Sequence, residues 1–65
     1  MMSQTMQDAF NEQMKQEFYS SYLYLSMSAY CEAVNLPGLS RWMRAQAREE
    51  AKHAMRIFDH MLDRA

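Results

Sequence analysis

The chain has a single proline and a single glycine, and the two are adjacent, at Pro37-Gly38 near the middle of its 65 residues. These are the residue types that interrupt helices most strongly. The spacing predicts two helices, over about residues 5–33 and 39–63, joined by a turn over 34–38. The first helix alone spans about 29 residues, or roughly 43 Å. The predicted fold class is therefore all-α, an antiparallel helical hairpin.

Composition limits the classes of protein to which this single domain, residues 1–65, can belong. Seven Lys/Arg against eight Asp/Glu give a net charge of -1, so no overall positive field favours nucleic acid. No apolar run approaches the roughly 20 residues of a membrane span. One cysteine without a signal peptide favours a reducing, cytoplasmic location. We expect neither nucleic acid nor a membrane as a partner.

Apolar residues recur at intervals of three and four in both helices, which predicts an inward stripe on each. The stripe of the first helix is Phe10, Met14, Glu17, Ser21, Tyr24, Ser28 and Cys31. The stripe of the second helix is Met43, Ala47, Glu50, Ala54, Ile57 and Met61. The capping residues predicted are Ser3 or Thr5 for the first helix and Ser40 for the second.

Aromatic and aliphatic residues also occupy the other faces of the first helix, so we predict that it is covered on more than one side. A core helix and a subunit interface both fit this pattern, and we favour the interface, because so short a chain cannot cover that face itself. Two helices that touch along one seam bury too little apolar surface to offset the entropy of ordering the chain. We expect either self-association or a fragment of something longer.

Three side chains of metal-ligand type fall at one level of the hairpin. Glu50 and His53 are three residues apart, on one helix face. Glu17 lies in the apolar stripe of the other helix, where a carboxylate is costly unless it is paired, protonated or bound to a cation. Counted from the turn, the three levels differ by only about 3–8 Å. A metal site and a buried cluster of salt bridges or hydrogen bonds both remain open.

As a ligand set, two carboxylates and one imidazole suit iron, manganese or zinc. Di-iron bundles carry a Glu on each of two helices and a Glu-x-x-His on each of the other two, so this chain supplies half of such a site. Tyr24 lies two turns from Glu17 and is either a hydrogen-bond donor or radical site near the metal, or a core tyrosine. Glu49 is either a ligand for a peripheral cation or a solvated carboxylate.

Residues 17–24 (EFYSSYLY) resemble the first helix of bacterial non-haem ferritins, and residues 36–43 (LPGLSRWM) and 46–55 (QAREEAKHAM) resemble their turn and second helix. The resemblance covers nearly the whole chain. It implies the N-terminal half of a four-helix subunit from hollow shells that oxidise iron(II) with oxygen or peroxide and store it as mineral.

For individual residues, the resemblance implies that Glu17, Glu50 and His53 bind the first iron, with Glu50 bridging to the second. Tyr24 then matches the tyrosine near the ferroxidase centre, and Glu49 matches a carboxylate at an outer iron site. We expect iron as the cofactor, with zinc or manganese as possible substitutes.

Ferritins take further ligands from their third and fourth helices, and this sequence stops after the second. We therefore expect a truncation, a proteolytic product or a split gene, whose four-helix bundle is completed by oligomerisation. The partner is a second copy, in a homodimer or larger homo-oligomer, or a chain that supplies the missing helices. The predicted function is iron binding, ferroxidase activity and iron storage at a di-iron site completed between chains. The alternative is a structural, self-assembling helical unit without useful iron chemistry.

Overall fold

The computed structural model describes residues 2–64, which form two helices, α1 (Gln4–Ala33) and α2 (Pro37–Arg64). Contacts between the helices run from Ser28–Ser40 near the turn to Phe10–His60 near the open end, so the helices are antiparallel. The molecule measures 50 × 16 × 9 Å along its principal axes. The predicted all-α helical hairpin is confirmed. No helix among the described residues combines the length and the apolar character that a membrane crossing requires.

The connection between the helices is tighter than the predicted turn over 34–38. α1 ends in a Schellman motif, in which Leu36 N–H donates to the carbonyl oxygen of Cys31 at 2.8 Å. The residue with positive φ is Asn35, at 65°, and asparagine tolerates this conformation better than most residues. Pro37 is the first residue of α2, where the N–H that proline lacks would have no helical partner. Gly38 lies within the helix, and no positive φ requires a glycine there.

The contact between the helices is built from small side chains. Cys31, Ala47 and Ala54 are buried, and Ala54 is 0% exposed. All thirteen residues of the two predicted stripes are buried or half-buried. Because alanines and serines allow two helix backbones to approach closely, residues of one helix can reach the carbonyl oxygens of the other.

The predicted N-terminal cap is present in α1 but not in α2. The Ser3 hydroxyl accepts from the N–H of Met6 at 3.2 Å, so Ser3 caps α1. Ser40 was predicted to cap α2, and this prediction is wrong, because α2 begins three residues earlier. Ser40 is buried and lies against Ser28. The Ser28 hydroxyl donates to the Ser40 carbonyl oxygen at 2.8 Å, and the Ser40 hydroxyl donates to the Ser28 carbonyl oxygen at 2.9 Å.

We expect Ser28→Ala to lower the free energy of unfolding by about 1 kcal/mol, the usual contribution of an intramolecular hydrogen bond. Ser26→Ala is the matched control, because Ser26 is on the same helix and is exposed; it should change stability by less than about 0.5 kcal/mol. Urea unfolding followed by circular dichroism at one protein concentration measures both values. Equal effects of the two substitutions would show that the serine pair does not stabilise the hairpin.

Candidate metal centre

Glu17, Glu50 and His53 come together at the middle of the hairpin. Each contributes one ligand atom to a group in which all three atoms lie within 4.8 Å of one another. His53 Nδ1 is 3.5 Å from Glu17 Oε2 and 3.9 Å from Glu50 Oε2. The sequence predicted that these three residues share one layer, and the structure places them there.

Local packing explains why Glu17 can reach the residues on α2. The Ser21 hydroxyl, one turn after Glu17, donates to the carbonyl oxygen of Ala47 at 2.8 Å. Ala47 and Ala54 lie one turn before and one turn after Glu50, and only 5% and 0% of their surfaces are exposed. A larger side chain at either position would separate the helices and draw Glu17 away from His53.

The two oxygens of the Glu17 carboxylate differ in their hydrogen bonding. Its Oε1 accepts a hydrogen bond from the Gln13 amide at 2.9 Å. Its Oε2 is buried and has no hydrogen-bond partner among the described residues when the nearby carboxyl groups are ionised. Since a buried carboxylate oxygen without a partner is costly, this atom fits a cation between Glu17, Glu50 and His53.

The two carboxyl groups perturb each other. The pKa of Glu50 is raised, first because Glu50 shares a hydrogen bond with Glu17 and second because of burial. The pKa of Glu17 is lowered, chiefly by the same hydrogen bond with Glu50. The pair therefore holds one proton between its oxygens more readily than two isolated carboxyl groups would. A cation in the site would take the place of that proton.

The two remaining predicted site residues lie outside this cluster. Tyr24 is half-buried and packs edge-on against Trp42, with ring centroids 6.2 Å apart. It follows Glu17 by two turns, or about 10 Å along the helix. Glu49 has a side chain that is 52% exposed and lies 3.8 Å from Lys52 Nζ, so the structure places it toward solvent.

Sequence reasoning missed Gln13, which orients the Glu17 carboxylate. The signal was present, because residues four apart on a helix are neighbours and a glutamine can donate to a carboxylate at that spacing. The sequence analysis also assigned no role to the small residues of the two stripes. Ala47 and Ala54 nevertheless determine how closely the helices approach at the site.

One side of the cluster is open. The side chain of His53 is 43% exposed, whereas those of Glu17 and Glu50 are 18% and 24% exposed. Two helices supply three ligand atoms, and no second group of three His, Cys, Asp or Glu was found within the described residues. A four-coordinate or six-coordinate metal ion would need further ligands from this open side.

A family model and individual known proteins that are similar to this sequence all indicate the same family. Residues 7–65 match the family model described as "Ferritin-like domain". A bacterial non-heme ferritin of Bacteroides fragilis is 44% identical over 64 residues, and one of Escherichia coli is 41% identical over 63 residues. These matches cover 98% and 97% of this chain but 40% and 38% of the relatives. The chain thus spans about two fifths of the length of the curated relatives.

Solved structures agree with the sequence comparison. The chain is similar to an open pore ferritin from the archaeon Archaeoglobus fulgidus, with a TM-score of 0.95 and 47% sequence identity. The similarity covers 98% of this chain and 39% of that protein. A family match over nearly all of the sequence, together with the same hairpin geometry, establishes that this chain belongs to the ferritin family.

Proposed function

We propose that the chain binds iron(II) as a substrate and takes part in its oxidation, as half of a ferroxidase site. The observation that carries this proposal is the convergence of Glu17, Glu50 and His53 within 4.8 Å. The buried Glu17 Oε2, which lacks a hydrogen-bond partner among the described residues when Glu50 is ionised, fits a cation. Membership of the ferritin family supports iron binding and storage as the general function of the family. The resemblance of residues 17–24 and 46–55 to ferritin helices supports the same roles.

Each side chain has a definite task in this proposal. Glu17 and His53 hold one iron ion, and Glu50 bridges that ion to a second one. Anionic oxygen donors stabilise iron(III) more than iron(II), so the site favours oxidation. Two iron(II) ions each lose one electron, and one dioxygen molecule accepts both electrons with two protons to give hydrogen peroxide. We further propose that Tyr24 assists electron transfer near the site and that Glu49 binds an outer iron ion.

Iron is the only metal that we propose as the substrate. Two carboxylates and an imidazole would also accept zinc or manganese, but the family to which the chain belongs gives no support to either. Zinc does not change its oxidation state, and it serves in experiments as a redox-inert competitor for the same ligands.

The site needs further ligands, and we propose that another chain supplies them. The described residues give one Glu and one Glu-x-x-His, half of the set in a di-iron bundle. Exposed apolar side chains on both helices support an assembly, since Tyr22 is 65% exposed, Leu25 52% and Trp42 53%. The same exposure supports the second candidate function, a structural unit that self-assembles through these residues without iron chemistry.

Oxygen consumption distinguishes the two candidates. We expect the chain to oxidise iron(II) faster than buffer alone, and zinc added beforehand to suppress this activity. Glu17→Gln should abolish most of the activity, because it removes the anionic ligand while keeping the side-chain volume and the contact with Gln13. An oxygen electrode and the iron(III) absorbance measure the rate. If wild-type protein and Glu17→Gln both oxidise iron at the rate of buffer, the structural unit becomes the better description.

A further inference from the structure

We propose that Gln13 is a positioning residue of the metal centre, which fixes the Glu17 carboxylate so that it binds an iron ion through Oε2 alone. This inference rests on the proposed function and adds a residue to it. The Gln13 amide Nε2 donates to Glu17 Oε1 at 2.9 Å. The other oxygen, Oε2, is buried and lies 3.5 Å from His53 Nδ1. The two oxygens of one carboxylate therefore face different partners.

The hydrogen bond from Gln13 determines how the Glu17 carboxylate is rotated. The last torsion of a glutamate side chain is broad and roughly twofold, so a carboxylate without a fixed partner can turn either oxygen, or both, toward a cation. A donor on Oε1 selects one rotation. Because Gln13 and Glu17 are four residues apart on α1, they are neighbours on one helix face. The backbone of α1 thus holds the donor in place beside the site.

Gln13 orients Glu17 without neutralising its charge. A lysine or arginine in the same place would compete with a metal ion for the carboxylate. Such a pair exists elsewhere on the hairpin, where Lys52 Nζ lies 3.8 Å from Glu49 Oε1. Among the described residues, no lysine or arginine forms an ion pair with Glu17. A neutral amide is therefore the donor best suited to a carboxylate that has to bind a cation.

The exposure of Gln13 separates this role from a contribution to folding. Gln13 is exposed, whereas the Glu17 side chain is 18% exposed, so the hydrogen bond runs from the surface of the hairpin into the site. Substitutions at exposed positions usually change the free energy of unfolding little. Loss of a group that orients a metal ligand typically lowers metal affinity by about 10–100-fold. Removal of the Gln13 amide should therefore weaken metal binding while the stability of the metal-free protein is kept.

Gln13→Met tests this separation, because methionine lacks the donor but is unbranched and has a similar helix propensity. We expect its affinity for iron(II), measured by calorimetric titration of the whole chain without oxygen, to fall about tenfold. The urea midpoint of the metal-free protein should not change. Gln16→Met is the matched control, since the exposed Gln16 amide donates to Glu12 Oε1 at 3.3 Å on the same helix. It should bind iron(II) as the wild type does.

The outcomes of this titration separate the inference from the proposed function. Equal affinities of the wild type and Gln13→Met would overturn the role of Gln13 and leave the proposed function intact. Equal losses in Gln13→Met and Gln16→Met, or a lower urea midpoint in Gln13→Met alone, would assign the hydrogen bond to the helix rather than to the site. Absence of iron(II) binding by the wild type would overturn both proposals.

Infrared difference spectra, iron(II)-loaded minus metal-free, test the binding mode itself. The antisymmetric and symmetric stretching bands of a carboxylate lie further apart when one oxygen binds a metal ion than when both do. Isotopic labelling of glutamate identifies its bands. At saturating iron(II) we expect a widely separated pair in the wild type and in Gln16→Met, and a narrower separation in Gln13→Met, whose Glu17 can turn both oxygens toward the ion. Identical glutamate bands in all three proteins would show that Gln13 does not fix the binding mode, and the inference would be wrong.

Discussion

Glu50→Ala is expected to lower the affinity for iron(II) at least about 100-fold, more than the usual effect of losing a group that only orients a ligand. Glu50 lies between the two helices, with its Oε2 3.9 Å from His53 Nδ1. In the proposed site it is the only ligand that touches both iron ions. The substitution also removes the carboxyl group that shares a proton with Glu17, so the Glu17 carboxylate is held less firmly. Calorimetric titration with iron(II) in the absence of oxygen measures the change.

Glu49→Ala is the matched control for this prediction, since it removes the same charge one residue away. Glu49 is rotated about 100° from Glu50 around the helix, and its side chain is 52% exposed beside Lys52. The interaction of exposed charges is worth at most about 1 kcal/mol, so we expect the iron affinity of the site at Glu17, Glu50 and His53 to fall less than about tenfold, while the proposed outer ion at Glu49 is lost. Equal losses in the two variants would show that Glu50 is not an inward ligand.

The faces of both helices could be predicted because the spacing of apolar residues follows the helical repeat. Every residue of the predicted stripes is buried or half-buried. The stripes were informative because they contain glutamates: Glu17 and Glu50 occupy positions where burial disfavours a charge. The helical repeat therefore singled out Glu17 and Glu50 as residues whose positions packing alone does not explain.

The meeting of Glu17 with Glu50 and His53 could be predicted for a geometric reason. α1 and α2 are unbroken helices joined by a short connection, so residues equally far from the turn lie at the same level. A kink or a long loop would have made this count unreliable.

The hydrogen bonds and backbone conformations near the turn could not be predicted, because the same residue type can have either of two structural roles there. A serine hydroxyl can accept a bond from a helix N-terminus or donate to a neighbouring helix. Only the packed structure shows that Ser40 does the second. The Pro37-Gly38 pair located the turn correctly, yet the residue with the left-handed conformation is Asn35.

The second half of the site lies outside what one hairpin can show. A ligand from another chain leaves no periodic signal in this sequence. Trp42 and Tyr30 are 53% and 67% exposed, but their exposure does not identify a partner.

Iron(II) without oxygen is expected to raise the melting temperature by about 10 °C or more. A ligand at 100 times its dissociation constant that binds only the folded state stabilises it by about 2.7 kcal/mol. For a domain of this size, each kcal/mol corresponds to roughly 4–8 °C. The physical source of the effect is the buried Glu17 Oε2, which lacks a hydrogen-bond partner among the described residues when Glu50 is ionised and which a cation would contact. Thermal unfolding followed by circular dichroism at constant protein concentration measures the shift.

His53→Ala should abolish most of this shift, because it removes the only nitrogen ligand in the group of three. His60→Ala is the matched control. His60 is on the same helix, is exposed, and packs against Phe10 with ring centroids 5.4 Å apart, away from the carboxylates. Its loss should alter the melting temperature without metal but leave the iron-induced rise in place. A shift that survives His53→Ala would mean that iron stabilises the protein at some other group. A wild-type melt that iron leaves unchanged would favour the structural unit, held together by its apolar faces alone.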